Sequence, residues 1–302
     1  MILINYCFMC FIFGTTFLAI KIGIDGGLTP FFSGGVRFFL AGLLIFSFMM
    51  LREKQLFRLL FRKELFFSGV GLTFGTFSTL YWAEQYVTSG IAAVLSATGP
   101  MMIILIQSIF LKQKATFKSI LGCALGIIGV LLLVQQSFSM DISSFWIIGC
   151  IAIIIGEVFY AAGTIYTRKV TMLFKETSPI ALNSVQMMYG GVLLLFLAVF
   201  TEDVQFSSVL QPASAGSLIY LIVLGSMIGH SLYYWLVSKT NPVFPSTWLY
   251  ISPIVAMALG IMFYQEYFSF VTGLGAVIII LGIILINFDT LRDRCLVQYR
   301  LK

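Results

Sequence analysis

Charge is scarce in this sequence. Only 10% of its 302 residues are Asp, Glu, Lys or Arg, and 60% are hydrophobic, whereas a soluble domain carries about 25% charged residues. The 18 basic and 12 acidic side chains are too few to cover the surface of a soluble protein of this length. This composition excludes a soluble globular enzyme, a disordered protein and a secreted disulfide scaffold. It leaves a polytopic helical membrane protein.

Residues that commonly carry catalysis are equally few. One histidine cannot supply a two-His zinc site, and the sequence lacks the Gly-Lys pair of a P-loop. Cys7 and Cys10 form a C-x-x-C inside an apolar run with no second cysteine pair, so we interpret them as packing residues. The basic residues form no continuous face that could bind nucleic acid. The sequence therefore predicts no enzyme, no cofactor, no metal and no nucleic-acid partner.

Apolar runs long enough to span a bilayer recur along the whole chain. A spanning helix needs about 20 mostly apolar residues, and the connections between the runs are short. We therefore predict an all-α integral membrane protein with ten transmembrane helices, the first of them retained because no basic flank or cleavage site marks it as a signal peptide. The predicted spans are 2–21, 31–51, 65–86, 90–111, 118–135, 145–167, 179–200, 216–237, 244–264 and 270–287.

Basic residues fall in alternate connections. With the N-terminus placed inside, sixteen of the eighteen Lys and Arg lie in the inner loops or the C-terminal tail, and none lies in an outer loop. The two exceptions, Lys21 and Arg37, lie at or inside the outer ends of spans one and two. Cytoplasmic loops of membrane proteins carry such an excess. We therefore expect a multi-pass plasma-membrane protein with both termini in the cytoplasm and a basic cytoplasmic tail over 291–302.

The two halves of the chain share features in the same order. Each half holds five spans, an odd number, so the second half is inverted relative to the first. Inverted repeats are typical of transporters that alternate access around a midplane site. We predict one repeat over 1–136 and a second over 137–290. A constant 153 residues separates the matching positions Tyr81 and Tyr234, Trp82 and Trp235, Pro100 and Pro253, Gln113 and Glu266, Gly122 and Gly275, and Gly129 and Gly282.

The order of these motifs resembles the EamA type of the drug/metabolite transporter superfamily. The resemblance lies in the run 13–17 followed by Lys21, in Pro30 followed by 36–38, and in the stretch 83–93 before Pro100. It covers nearly the whole chain in two copies. It implies ten helices in two inverted five-helix repeats, around a central cavity lined mostly by the first four helices of each repeat. It also implies export or exchange of small organic solutes.

Two positions depart from the family pattern. Gln113 stands where the family usually has Glu, although the second copy keeps Glu266. Tyr160 stands where a Trp is frequent. The loss of a charge at Gln113 weakens whatever structural role that Glu has in the first repeat.

Ionisable residues inside the bilayer are the first site candidates, because each costs about 2.5–3.5 kcal/mol on insertion scales. Glu157 lies near the middle of span six, where it could couple protons, bind a substrate amine or serve as a protonated structural group. Arg37 could bind a carboxylate in a bidentate fork, or form a buried structural pair with Glu84. Lys21 lies on the same outer side. Gln186, the repeat counterpart of Arg37, cannot form an ion pair.

His230, the only histidine, shares a helix face with Tyr234 and could line the cavity or serve as a packing residue. The aromatic residues, including Tyr81, Tyr234 and Tyr250, could line an apolar pocket or form an interfacial belt. Pro100 and Pro253 lie in mid-span, where proline kinks a helix, and are candidate hinges.

These observations predict a secondary active transporter that exports small organic metabolites, such as amino acids or related compounds, or drugs. Its partners would be the solute and the lipid bilayer. Proton coupling through Glu157 is a hypothesis, and a homodimer stays open. The alternative is an importer, or an uncoupled uniporter or exchanger, of the same solute class.

Overall fold

The computed structural model describes residues 1–113, 115–134, 143–255 and 270–300 of the chain, and these residues form helices and turns without a β-strand. Six helices in this part are long and apolar enough to cross a membrane. They are α1 (Ile2–Asp25), α2 (Pro30–Met50), α4 (Ser89–Phe110), α6 (Ser144–Leu173), α7 (Pro179–Thr201) and α8 (Pro212–Lys239). Proline opens α2, α7 and α8, where its missing N–H costs no helical hydrogen bond.

The remaining predicted spans are also helical where the structure describes them. They are α3 over 63–83, α5 (Phe117–Val134), α9 (Val243–Val255) and α10 (Phe270–Arg300). The rest of predicted span nine and Glu266 lie outside the described residues. A 3-10 helix (Lys54–Phe61) joins α2 to α3, and a short helix (Phe206–Val209) precedes α8. An all-helical membrane fold is therefore confirmed.

Four of these helices depart from regular α geometry. Val70–Gly75 of α3 and Leu221–His230 of α8 are π-helical, a rare form that is frequent at functional sites. Helix α4 is interrupted at residues 97 and 98, so that it consists of Ser89–Ser96 and Gly99–Phe110. Pro100 occupies the first turn of the second piece. Pro253 lies in the helical stretch 248–255, which follows a turn at Thr247.

Packing pairs the helices in a regular pattern. Helix α2 packs on α7, α5 on α10, α3 on α6, and α1 on α8. The α5–α10 crossing is especially close, because a Cβ built on Gly122 would lie 2.7 Å from the carbonyl oxygen of Gly282, and one on Gly129 would lie 2.7 Å from that of Gly275. The backbones of α5 and α10 therefore touch at two places, which small residues permit in membrane helices.

Candidate functional site

A narrow cavity of about 30 Å³ lies at the centre of the helices. Its wall includes three of the sequence-predicted candidates: Arg37 from α2, Glu157 from α6 and His230 from α8. Helices from both predicted repeats contribute to the wall, and most of its surface is apolar. The aromatic members of the wall are Phe13, Phe17, Phe77, Tyr160, Tyr233 and Trp248.

Arg37 is held by neutral partners. Its side chain is 1% exposed, and its Nε donates to Ser226 Oγ at 2.8 Å while Nη1 donates to Tyr81 Oη at 3.1 Å. The guanidinium also lies 4.6 Å from the ring centroid of Phe38 and 5.3 Å from that of Phe77. Both rings are within the distance at which a cation and an aromatic face attract each other. The buried cation is thus oriented without a carboxylate partner among the described residues.

Of the two alternatives for Arg37, the buried ion pair with Glu84 is not formed among the described residues. Neither carboxyl oxygen of Glu84 has a hydrogen-bond partner among the described residues, although the side chain is fully buried. Lys21 instead forms an ion pair with Asp25 at 3.1 Å, and Lys21 Nζ also donates to the main-chain oxygen of Glu84 at 3.0 Å. Glu84 follows the last helical residue of α3. Lys21 and Glu84 therefore lie together at the predicted outer ends of α1 and α3, outside the cavity wall.

Gln186, the repeat counterpart of Arg37, forms a hydrogen bond that corresponds to the one between Arg37 and Ser226. Its Oε1 accepts from Thr73 Oγ1 at 2.9 Å, and its Nε2 donates to Asn183 Oδ1 at 3.0 Å. Thr73 and Ser226 are 153 residues apart, the separation that relates the two predicted repeats, and each lies in a π-helical segment. The bond from Arg37 joins α2 to α8, and the bond to Gln186 joins α7 to α3. Sequence reasoning missed Thr73 and Ser226, although the 153-residue separation could have paired them.

Glu157 lies in the cavity wall, and one of its two carboxyl oxygens forms no hydrogen bond with the described residues. The side chain is buried, and Oε2 has no hydrogen-bond partner among the described residues. Ser96, from the end of the first piece of α4, lines the same cavity, and its hydroxyl is likewise unpartnered in the described part of the chain. Buried polar groups are normally hydrogen-bonded. A buried carboxyl group and a buried hydroxyl that line one cavity therefore mark a place where a polar solute or a proton could bind.

His230 is surrounded by phenyl rings. Its ring lies 5.0 Å from that of Phe13, 5.2 Å from that of Phe38 and 5.5 Å from that of Phe77, each in an edge arrangement. Its Nδ1 has no hydrogen-bond partner among the described residues. The imidazole therefore lines the cavity and packs on the rings at once, so the two alternatives that the sequence left open both apply. The rings come from three different helices, which the sequence alone did not predict.

The three tyrosine candidates are fully buried but do not belong to the cavity wall. The hydroxyl oxygen of Tyr81 accepts a hydrogen bond from Arg37 Nη1. Tyr234 and Tyr250 have hydroxyls without a hydrogen-bond partner in the described part of the chain. The ring of Tyr250 packs on α5, since a Cβ built on Gly126 would lie 2.8 Å from Tyr250 Cζ. Tyr160, which the sequence singled out only as a departure from the family pattern, lines the cavity together with Trp248, whose Nε1 donates to Tyr160 Oη at 3.2 Å.

The sequence matches a protein-family model in both halves of the chain. The model of the EamA-like transporter family matches residues 1–135 and 147–288. A solved crystal structure with 14% sequence identity superposes with a TM-score of 0.76 over 97% of each chain. At that identity the superposition supports the fold alone.

Three curated relatives match most of the chain. The inner membrane transporter YedA of Escherichia coli strain K12 is 28% identical over 91% of this chain and 87% of its own length. A chloroplastic WAT1-related protein of Arabidopsis thaliana is 27% identical over 94% of this chain and 68% of its own. The protein PagO of Salmonella typhimurium is 28% identical over 90% of this chain and 88% of its own.

Proposed function

This chain belongs to the EamA-like transporter family and is a multi-pass membrane transporter of small molecules, and from that premise we propose that it exports small organic metabolites by alternating access. The observation that carries the proposal is the central cavity, whose apolar wall holds Arg37, Glu157 and His230 inside the membrane fold. Ionisable groups inside a membrane fold are energetically costly, so those that are present commonly mark a functional site. We also propose that the protein resides in the plasma membrane with both termini in the cytoplasm.

Alternating access by two inverted repeats, over 1–136 and 137–290, is supported by the packing. Two pairs of predicted repeat counterparts pack on each other, α2 on α7 and α5 on α10, and the remaining contacts correspond to each other across the predicted repeat, α3 on α6 and α1 on α8. The bonds Arg37–Ser226 and Gln186–Thr73 connect the halves at corresponding positions. A cavity of about 30 Å³ is far below the roughly 300–1,000 Å³ of a ligand pocket. The two halves must therefore separate on one side before a solute can enter, as this mechanism requires.

The cavity wall favours a solute with a carboxylate, an amine and an apolar body. The Arg37 guanidinium can receive a carboxylate, and the unpartnered oxygens of Glu157 and Ser96 can receive an amine. Aromatic rings such as Trp248 line the space between. Amino acids with apolar or aromatic side chains and related compounds have this arrangement of groups. We therefore propose this solute class ahead of drugs.

Export is tested by comparing the extracellular metabolites of cells that overexpress the chain with those of cells that express Arg37→Ala. We expect a small set of amino acids or related compounds to be enriched outside cells with the wild-type chain but not outside cells with Arg37→Ala, because that variant lacks the guanidinium that would bind the carboxylate. Depletion of the same compounds from the medium would instead identify an importer. A membrane-fraction immunoblot should show equal amounts of both proteins.

Proton coupling through Glu157 is the proposed driving mechanism. In proteoliposomes with the purified chain, we expect Glu157→Gln to abolish accumulation of the exported compound driven by a pH gradient, because an amide cannot release a proton. Exchange of labelled for unlabelled compound should continue. Glu84→Gln is the matched control, since it changes a buried carboxyl outside the cavity wall. Intact gradient-driven transport in Glu157→Gln would refute the coupling and leave an uncoupled uniporter or exchanger.

A further inference from the structure

A second and larger space lies away from the central cavity. This inner cleft is bounded by the last turns of α2 together with Arg52 and Glu53, the first turn of α7 and the middle of α8, and has a volume of about 500 Å³. That volume is within the range of ligand pockets. The apolar wall of the inner cleft is formed mainly by Leu44, Ile45, Phe48, Met49, Met227 and Ile228.

The inner cleft opens towards the lipid. Leu44 is 52% exposed and Phe48 is 58% exposed, so one wall of the cleft continues into the outer surface of the helix bundle. In a spanning helix that surface contacts acyl chains. The opposite wall reaches Ser231, the residue next to His230. An acyl chain in the inner cleft would therefore extend from the bilayer to the helix that carries the central histidine.

The mouth of the inner cleft carries one charge of each sign. Arg52 and Glu53 both line it, at the end of α2 that the basic residues place at the cytoplasmic surface. The guanidinium of Arg52 lies 5.0 Å from the ring centroid of Phe48, which holds it against the cleft wall. Neither residue forms an ion pair with a side chain that the structure describes. A ligand with one negative and one positive group could therefore pair with the Arg52 guanidinium and the Glu53 carboxylate at the same time.

We propose that the inner cleft binds a zwitterionic aminophospholipid of the cytoplasmic leaflet. Its phosphate would contact Arg52, its ammonium group Glu53, and one acyl chain would lie along Phe48 and Met227. Arginine is well suited to phosphate, and basic pockets between membrane helices are known sites for lipid head groups. Glu53 disfavours a head group that is only anionic. The proposal does not depend on which solute crosses the central cavity.

Photo-crosslinking tests the proposal. The purified full chain is reconstituted into vesicles that contain a trace of phosphatidylethanolamine with a photoactivatable acyl chain, and labelled peptides are mapped by mass spectrometry. We expect the label to concentrate on segments 44–53 and 227–231. Arg52→Gln should lower that labelling about fivefold, the effect of losing one ion pair of moderate strength. Arg58→Gln is the matched control, because Arg58 is exposed on the same connection but does not line the cleft.

A further variant and two competitors distinguish the proposed lipid from other possible ligands of the inner cleft. Met227→Trp should narrow the cleft and weaken the labelling without the loss of a charge, and excess unlabelled phosphatidylethanolamine should compete better than phosphatidylglycerol. Labelling spread evenly around the bundle, or equal competition by phosphatidylglycerol, would overturn the proposal. Displacement of the label by the exported solute at concentrations that saturate transport would also overturn it, because the cleft would then be an entrance for solute. Thermal unfolding of each variant verifies that it is folded.

Discussion

The hydrogen bond from Arg37 to Ser226 allows a quantitative test, because the same chain contains a neutral version of it. Gln186 and Thr73 form a bond of 2.9 Å between α7 and the π-helical segment of α3, and Arg37 and Ser226 form one of 2.8 Å between α2 and the π-helical segment of α8. All four side chains are buried. A double-mutant cycle on each pair therefore compares a charged and a neutral bond in matched surroundings.

The expected coupling energies differ by a factor of two. Hydrogen bonds between membrane helices contribute about 0.6 kcal/mol on average in such cycles, and we expect this value for Gln186 with Thr73. Bonds with one ionised partner are roughly twice as strong, so about 1.2 kcal/mol is expected for Arg37 with Ser226. The second bond of Arg37, to Tyr81, does not enter this coupling energy, provided that Tyr81 keeps its place when Ser226 is replaced.

The assay is reversible unfolding of the purified protein in mixed micelles, followed by circular dichroism. Arg37→Met, Ser226→Ala and their combination form one cycle, and Gln186→Met, Thr73→Val and their combination form the other. A coupling in the neutral pair equal to or above that of the charged pair would refute the argument from charge. Couplings of zero in both cycles would mean that these side chains do not meet in the folded protein.

Two further predictions concern stability. Gly122→Ala should lower the unfolding free energy by about 1–3 kcal/mol through overpacking, because the added Cβ would lie 2.7 Å from the carbonyl oxygen of Gly282. Gly90→Ala is the control, since a Cβ at Gly90 meets nothing within 4 Å, and it should raise the unfolding free energy by about 0.4–1 kcal/mol. Losses of equal size in the two variants would contradict the close crossing of α5 and α10. Glu84→Leu should raise the unfolding free energy by about 1 kcal/mol, because it removes a buried carboxyl without a partner, and a decrease in the same denaturation assay would show that Glu84 has a stabilising contact.

The helical architecture was predictable because the bilayer leaves few alternatives. Backbone groups in hydrocarbon must bond within their own helix, so length and hydropathy alone place most of the described helix ends to within a few residues. The exceptions are α6 and α10, which continue 6 and 13 residues beyond the predicted ends at 167 and 287. The interruption of α4 was only partly predictable. Pro100 marks the region, but the turn lies at Ala97 and Thr98, where the hydroxyl of Thr98 donates to the Leu95 carbonyl at 2.8 Å.

The contacts of the site were harder to predict. Arg37 and Glu84 lie on the same predicted outer side, and a buried charge needs a partner, yet depth along a helix does not determine the direction in which a side chain points. Arg37 instead faces α8 and bonds to Ser226. The phenyl rings around His230 come from α1, α2 and α3, and their meeting depends on how three helices rotate about their axes. Periodicity within a single span does not contain that information.

The two π-helical segments have a consequence for alignment with distant relatives. Each residue of an α-helix turns the chain by about 100°, so a residue inserted or deleted within a span normally moves every later side chain to another face. A π-helical turn holds an extra residue and can lose it by returning to α geometry. Single-residue gaps inside spans should therefore concentrate in Val70–Gly75 and Leu221–His230. Within the uninterrupted α-helical stretches of the described spans, a gap in a relative would indicate a misplaced alignment.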